Sequence, residues 1–362
     1  MRKIFKLDWL LFISTILLVT LGLAVLYPIS YDGKDTSQDH FFRQLMYAGV
    51  GLVVFFLFSF FDYRGLKSYS KVLFLVGLFL LFLVLIFGKV IRGTTGWLDF
   101  YGIHIQPAEL FKMIIAIALA KYFSVHSRTI HEPKHIFISL VPLAFSLVLI
   151  LMQPDLGSAI IILAIWISIL LVSGVKKKHL LILFVIGLIL AFVSWGYFLK
   201  DYQKNRIRTV FNPLSDPLGA GYNVIQSTVA VGSGGIWGKG LGHGSQSQLN
   251  FLPEKHTDFI FAVIAEEMGL GGALFVLILF AVILLRMILI AQNSSDNFGK
   301  LLVSSFVVVI FVQVIINIGM NISIMPVTGV PLPFLSYGGS SLFTTMVMMG
   351  IVQSVYRGSA RG

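Results

Sequence analysis

The apolar patterning constrains this chain before any other feature does. Residues 9–31 carry no charge, and neither do residues 301–356. A helix needs roughly 20 apolar residues to cross a bilayer core. The first run therefore spans once, and the second is long enough for two spans with an irregular stretch between them. Ten such segments can be marked, at 9–29, 42–60, 70–88, 107–123, 136–152, 156–174, 179–199, 259–285, 301–322 and 340–356. The expected fold is an all-α integral membrane protein with about ten transmembrane helices, forming a single polytopic domain over 1–362. A long extracytoplasmic loop, 200–258, precedes helix 8, and a re-entrant loop precedes helix 10. Charged residues make up only 12% of the chain, against about 25% in soluble domains, which excludes a soluble class.

Arg2, Lys3 and Lys6 precede the first segment, and no small-residue cleavage site follows it. This reads as a retained helix and not as a signal peptide. With the N-terminus in the cytoplasm, 16 of the 27 Lys and Arg fall in cytoplasmic segments, against four in the short external loops. The positive-inside rule then puts both termini in the cytoplasm and loop 200–258 outside the cytoplasmic membrane. The net charge of +11 follows from this bias and from the long loop, so no nucleic-acid partner is expected. The absence of cysteine excludes disulfides and thiol chemistry.

Ionisable groups within membrane helices cost about 2.5–3.5 kcal/mol each on insertion scales and default to functional hypotheses. Here they gather on one face. QPAELFK (106–112) opens the fourth segment with Pro107 where a missing N–H does no harm. Glu109 lies in the first turn, where the helix dipole favours an anion, and Lys112 is within reach of it. The two are either a capping acid with its ion pair or part of a site. QPDLG (153–157) repeats the arrangement, so Asp155 is either an N-terminal acid or a second site residue. Asp258 starts the eighth segment from the same face, after Glu254, Lys255, His256 and Thr257. Glu266 and Glu267 then follow inside the apolar run. Glu266 lies about 12 Å deeper than Asp258 at 1.5 Å per residue, so at least one of these glutamates faces protein or water.

MPVTGVPLPFLSYGGSS (325–341) is apolar but rich in proline and glycine. Irregular backbone at membrane depth is tolerated only where protein or a cavity satisfies it. It is read either as a re-entrant loop laying Thr328, Ser336, Tyr337 and Ser340 near the acids, or as a passive plug. In the long loop, VGSGGIWGKGLGHG (231–244) holds seven glycines. It is not a phosphate-binding Walker A, because Lys239 is followed by Gly240. KNRIR (204–208) places Lys204, Arg206 and Arg208 just outside helix 7, where they are either solvated or hold phosphates. HEPKH (131–135) satisfies the H-E-x-x-H zinc pattern, but that pattern needs a helix. Pro133 disfavours helical conformation at Glu132, so a zinc site is rejected.

In order and spacing, QPAELFK, QPDLG, YNVIQSTVAVGSGGIWGKG, FLPEKHTDFIFAVIAEEMG and PVTGVPLPFLSYGGSS resemble the SEDS family (shape, elongation, division, sporulation) across essentially the whole chain. GSQSQLNFLPEKHTDF resembles its elongation branch more than its division branch. The resemblance implies ten transmembrane helices and a peptidoglycan glycosyltransferase that polymerises lipid II, with a class B penicillin-binding protein, the transpeptidase, as partner. Carried over by motif, Asp258 matches the family's essential acid, and Glu109 and Lys112 match its helix-four pair. The candidate catalytic residues are therefore Asp258, Glu109 and Lys112. The candidate substrate contacts are Asp155, Arg206, Arg208, Lys239, Glu254, Lys255, His256, Thr257, Ser336 and Ser340. Two positions depart from the family pattern. Gly96 precedes Trp97 where arginine is usual, and Ser323 replaces a frequent glycine.

The implied chemistry suits these residues. A glycosidase needs two carboxylates, whereas polyprenyl pyrophosphate leaves well once cations neutralise it. One base, Asp258, then suffices. A divalent cation (Mg²⁺ or Mn²⁺) is a further expected aid, with Asp155 and Asp258 as hard oxygen ligands. The rival readings are a flippase or transporter of the lipid-linked precursor and a non-catalytic scaffold. Transporters commonly show repeated halves, and no repeat is visible here. The partner is expected on apolar faces of helices 8 and 9, residues 270–285 and 301–316.

Overall fold

The computed structural model describes residues 6–30, 38–91, 94–100, 103–197, 201–213 and 219–359. Arg2, Lys3, Lys34, Arg92, Lys200 and Arg361, all counted in orienting the chain, lie outside the described residues. In chain order the elements are α1 (Trp9–Ser30), α2 (Gln38–Phe60), α3 (Arg64–Phe87), β1 (Lys89–Ile91), β2 (Thr94–Phe100), β3 (Ile103–Ile105), α4 (Pro107–Val125), α5 (Lys134–Met152), α6 (Leu156–Ser173), α7 (Lys177–Tyr197), α8 (Asp201–Phe211), α9 (Ala220–Ser233), α10 (Ser245–Gln248), α11 (Ile260–Gln292), α12 (Asn297–Asn321) and α13 (Gly339–Ser359).

The ten expected segments all fall on long helices, and the protein is an all-α, multi-pass membrane protein. Among the described residues, seven helices are long and apolar enough to cross a membrane: α1, α2, α3, α5, α6, α11 and α12. Length and composition thus support seven crossings. The other three expected spans lie on α4, α7 and α13, and α4 carries Glu109, Lys112 and Lys121. Large apolar side chains on α2, α3, α5 and α7, such as Val53, Phe79, Val141 and Phe184, face outward, as a lipid-facing surface requires.

α12 sits at the centre, packed on α11, α6 and α4, while α13 packs on α2 and α3 on α4. Much of the expected docking stretch 301–316 is therefore turned inward, while Phe311 and Ile315 stay exposed. Leu302, Val303, Phe306 and Ile310 are all buried, because three helices surround this one. On α11, by contrast, Leu270, Phe275, Ile278 and Leu285 remain exposed.

Two features of the connections are absent from the apolar pattern. β1, β2 and β3 form a small antiparallel meander, with Leu98 opposite Ile105. β3 runs straight into Gln106 and Pro107 and so sets where α4 begins. The long loop also folds: α8, α9 and α10 occupy it, and α9 packs on α11 and α12.

The ends of α1, α11 and α13 remote from Asp258 are tied by Asp8. Its backbone N–H donates to Gln353 Oε1 at 2.8 Å, Gln353 Nε2 donates back to its carbonyl at 3.0 Å, and Arg286 pairs with its carboxylate. The HEPKH segment is structural as well. His135 uses both ring nitrogens, on Tyr122 and Thr129, and Glu132 pairs with Lys134.

Candidate functional site

α11 breaks at Gly269, where φ is 65° and ψ is −162°, nine residues or about 14 Å along the helix from Ile260. Such a break frees two carbonyls and two N–H groups that must find partners at membrane depth. The glycine-rich segment supplies all four. Lys239 and Gly240 donate their N–H groups to the carbonyls of Glu266 and Glu267, at 3.0 and 2.9 Å. Leu270 and Gly271 donate to Gly235 and Ile236. Only glycine allows backbones this close: a Cβ on Gly269 would lie 2.4 Å from the Gly238 nitrogen, and one on Gly234 would lie 1.9 Å from the Ala265 oxygen. This part of 200–258 is therefore bound to the helix and does not hang free of it. It packs beside α11.

The same packing explains the two glutamates in the apolar run. Glu266 is fully buried and accepts from Lys239 Nζ at 2.8 Å and from the N–H groups of Gln246 and Ser247 at 2.9 and 3.1 Å. Glu267 accepts from Gly242 N at 3.0 Å and Ser247 Oγ at 3.1 Å. They clamp residues 239–248 to α11. Lys239, read from sequence as a substrate contact, is thus held by Glu266.

Asp258 lies just ahead of α11 and is largely buried, at 7% exposure. The N-cap residue is Phe259, whose side chain makes no capping bond. Its backbone carbonyl accepts from Asn317 Nδ2 and Asn321 Nδ2, each at 3.0 Å. Asn321 Oδ1 takes the N–H of Ala262 at 3.0 Å and so satisfies a first-turn N–H from α12. The flanking residues are structurally engaged. Lys255 is buried and donates to the Ser247 carbonyl. Thr257 Oγ1 donates to Glu254. The His256 ring stacks on His40, with centroids 5.1 Å apart.

The stretch before α13 docks against this segment from one side and against α4 from the other. Ser336 Oγ donates to the Thr257 carbonyl at 2.6 Å, and Tyr337 N donates to the His256 carbonyl at 2.8 Å. Four residues on, Ser340 Oγ accepts from Gln106 N at 3.0 Å and donates to the His104 carbonyl. Val330, Leu332 and Leu335 are buried, and Asn317 Nδ2 donates to the Val330 carbonyl at 2.8 Å. The irregular backbone is satisfied by protein.

Gln106 leads into the buried ion pair. Glu109 Oε1 and Lys112 Nζ are 2.6 Å apart, and both side chains are almost wholly enclosed. Gln106 Nε2 also donates to Asp155 Oδ2 at 3.2 Å. Asp155 caps α6 through Ser158 N at 2.9 Å and Ser158 Oγ at 2.7 Å. The turn at Thr328–Gly329 lies close to both Gly157 and Asp258. A Cβ on Gly157, beside Asp155, would lie 3.4 Å from the Thr328 oxygen, and one on Gly329 would lie 3.7 Å from Asp258 Oδ2. Gly96 is buried here too, with Gln153 Oε1 3.5 Å and Gln106 Nε2 3.9 Å from where its Cβ would be. Gln153 Oε1 has no partner among the described residues.

The structure thus gathers Glu109, Lys112, Asp155, Thr257, Asp258, Ser336 and Ser340 at one end of the bundle. Arg206 and Arg208 ride on α8, which packs on α9, and Arg208 is exposed. Asn317, Asn321 and Gln106 were missed by a search for charges. Their signal was available, because two amides within an apolar membrane helix need partners as acids do.

Residues 8–360 match the cell cycle protein family FTSW_RODA_SPOVE. The chain is similar to the peptidoglycan glycosyltransferase MrdB of Escherichia coli K12, with 38% identity over 349 residues covering 94% of this chain and 92% of that one. It is similar in structure to a chain from a peptidoglycan synthase complex that coordinates polymerization and crosslinking, with TM-score 0.82 and 33% identity over 99% of this chain and 100% of that one. The rod shape determining protein RodA of Thermus thermophilus superposes with TM-score 0.70 and 28% identity over 98% of this chain and 97% of that one. A family match over nearly the whole length, together with the motifs that meet around Asp258, shows that this chain belongs to the FtsW, RodA and SpoVE family of cell cycle proteins, the SEDS family.

Proposed function

We propose that this protein is a peptidoglycan glycosyltransferase that polymerises lipid II into glycan strands during cell elongation, at the outer face of the cytoplasmic membrane. The observation that carries the reading is one loop bound to two parts of the site. Ser336 holds the backbone next to Asp258, and Ser340 holds the start of the helix bearing Glu109 and Lys112. The names of the similar proteins support the same activity.

In this proposal the 4-hydroxyl of one lipid-linked sugar attacks the anomeric carbon of another, with inversion. The Asp258 carboxylate takes the hydroxyl proton. The bond to polyprenyl pyrophosphate breaks, and that group leaves with the electron pair. Arg206 and Arg208 are the cations assigned to the pyrophosphate, and Glu109 with Lys112 holds the floor of the site. An apolar cleft of about 230 Å³, lined by Tyr47, Val50, Leu110 and Phe343, opens beside His104 and Ser340. Its walls suit a polyprenyl chain. The partner is a class B penicillin-binding protein, seated against the outward ridge of α11. A divalent cation is given no step, because the donor set fits one poorly. Asp155 already accepts from Ser158 and Gln106, and no cluster of three ligating side chains occurs among the described residues.

The test is purified protein in liposomes with labelled lipid II. Glycan chains are expected from the wild type. Asp258→Asn should lose about 10²–10⁴-fold of the rate while keeping its melting temperature. Translocation of lipid II without polymer would favour a flippase instead, and polymer from Asp258→Asn would remove the assigned base. Orientation is read by cysteine labelling of intact spheroplasts: Leu249→Cys should react from outside and Arg128→Cys should not.

A further inference from the structure

A second cleft lies at the opposite end of α4. α5 touches α3 and α4 only lightly in this region, which leaves a cavity of about 380 Å³ between the three helices. That volume falls within the roughly 300–1,000 Å³ of small-molecule sites. Its walls are apolar, with Phe74 from α3, Leu119 from α4, and Ile138 and Pro142 from α5. Its lining also includes Lys71 and Lys121, which approach from different helices, and contains no carboxylate. Neither ammonium has an ion-pair or hydrogen-bond partner among the described residues. Glu132, on the neighbouring loop, pairs with Lys134 instead.

We infer that this cleft binds one anionic phospholipid, with an acyl chain between α3, α4 and α5 and the headgroup phosphate on Lys71 and Lys121. Two observations commit the site to that occupant. An apolar cavity open among membrane helices is filled most favourably by a hydrocarbon chain. Two unpaired lysines beside it need an anion, and basic pockets between transmembrane helices select anionic headgroups. A zwitterionic lipid fills the cavity equally well but leaves the two charges uncompensated. A soluble anion neutralises the charges but leaves the cavity empty.

The inference is independent of the catalytic reading, and binding is measured directly. Delipidated full-length protein is titrated with dioleoylphosphatidylglycerol or dioleoylphosphatidylcholine and followed by native mass spectrometry. One phosphatidylglycerol should be retained in preference to phosphatidylcholine. The Lys71→Gln/Lys121→Gln variant should bind it roughly 30-fold more weakly, the combined effect of two lysines near a membrane surface. Ala118→Trp, which fills the cleft and leaves both lysines, should also lose it, while Lys177→Gln should not. Melting temperatures in phosphatidylcholine show that the lysine variants are folded. Equal retention of the two lipids overturns the proposal, as does wild-type binding by the double lysine variant. Full competition by glycerol phosphate also overturns it, since that identifies a soluble anion as the ligand.

Discussion

Asn321 donates its side-chain amide to the backbone carbonyl of Asp258 at 3.0 Å, while its side-chain oxygen takes the N–H of Ala262, also at 3.0 Å. One buried amide on α12 therefore holds Asp258, just ahead of the Phe259 N-cap, and the first turn of α11 in a single register. The carboxylate assigned as base owes its placement to a helix about 60 residues away in the chain.

Asn321→Ala should consequently impair both stability and turnover. It leaves the Ala262 N–H without its acceptor, and an unsatisfied buried polar group costs about 1–3 kcal/mol. The expected result is a lower melting temperature and a reduced kcat for lipid II polymerisation, with KM little changed. Asn321→Asp keeps the acceptor for Ala262 but loses the donor to Asp258, so it should recover stability more than rate. Equal, wild-type turnover in both variants would show that this amide does not position Asp258.

The Glu109–Lys112 pair is enclosed on all sides. Removing one partner of a buried pair leaves an uncompensated charge and costs about 3–5 kcal/mol. Lys112→Ala and Glu109→Gln should each lower the melting temperature sharply. The double variant Glu109→Gln/Lys112→Met removes both charges and should regain much of that stability. If the pair also serves the reaction, polymerisation stays low in the double variant. Wild-type polymerisation there would reduce the pair to a structural one.

Gly269→Ala should be among the most damaging single-methyl changes in the protein. The residue has positive φ, and the new Cβ would lie 2.4 Å from the Gly238 nitrogen and 2.5 Å from the Ile236 oxygen. The segment 234–248 would be displaced from α11. Limited proteolysis reads this directly, because cleavage within 234–248 should rise in the variant. Protection equal to wild type would mean that the broken helix and the glycine segment hold without each other.

Asp296 gives a pH signature remote from the site. Burial pushes its carboxyl up, but the Gly299 N–H, the Tyr63 hydroxyl and Arg64 together outweigh burial and leave it below the ordinary 3.8. The Gly299 N–H donates to Asp296 Oδ1 at 2.7 Å and the Tyr63 hydroxyl to Oδ2 at 2.6 Å. A depressed carboxyl stabilises the fold at pH above its unfolded value, and that stability fades as pH falls through the folded value. Asp296→Asn should therefore melt below wild type at neutral pH, with the gap closing as the pH is lowered past the ordinary carboxylate range. A gap independent of pH would rule out the charge as its source.

Much of this protein was determined locally by its sequence. Hydropathy is a property of short windows, so the long helices fall where the apolar runs lie. Asp258, Glu109 and Lys112 were identified because a carboxylate or ammonium beside an apolar run is conspicuous, and the family motifs around them are continuous in the chain. The tertiary structure alone decided what each charge meets. Lys239 and Glu266 lie 27 residues apart and look alike as site candidates, yet they bond to each other because α11 breaks at Gly269 and admits the glycine segment. Residues 301–316 have the composition of a lipid-facing helix, but α4, α6 and α11 bury most of them, Phe311 and Ile315 excepted. The partner of a freed carbonyl, and the side of an apolar helix that meets lipid, depend on which distant segment packs there, and no local pattern carries that information.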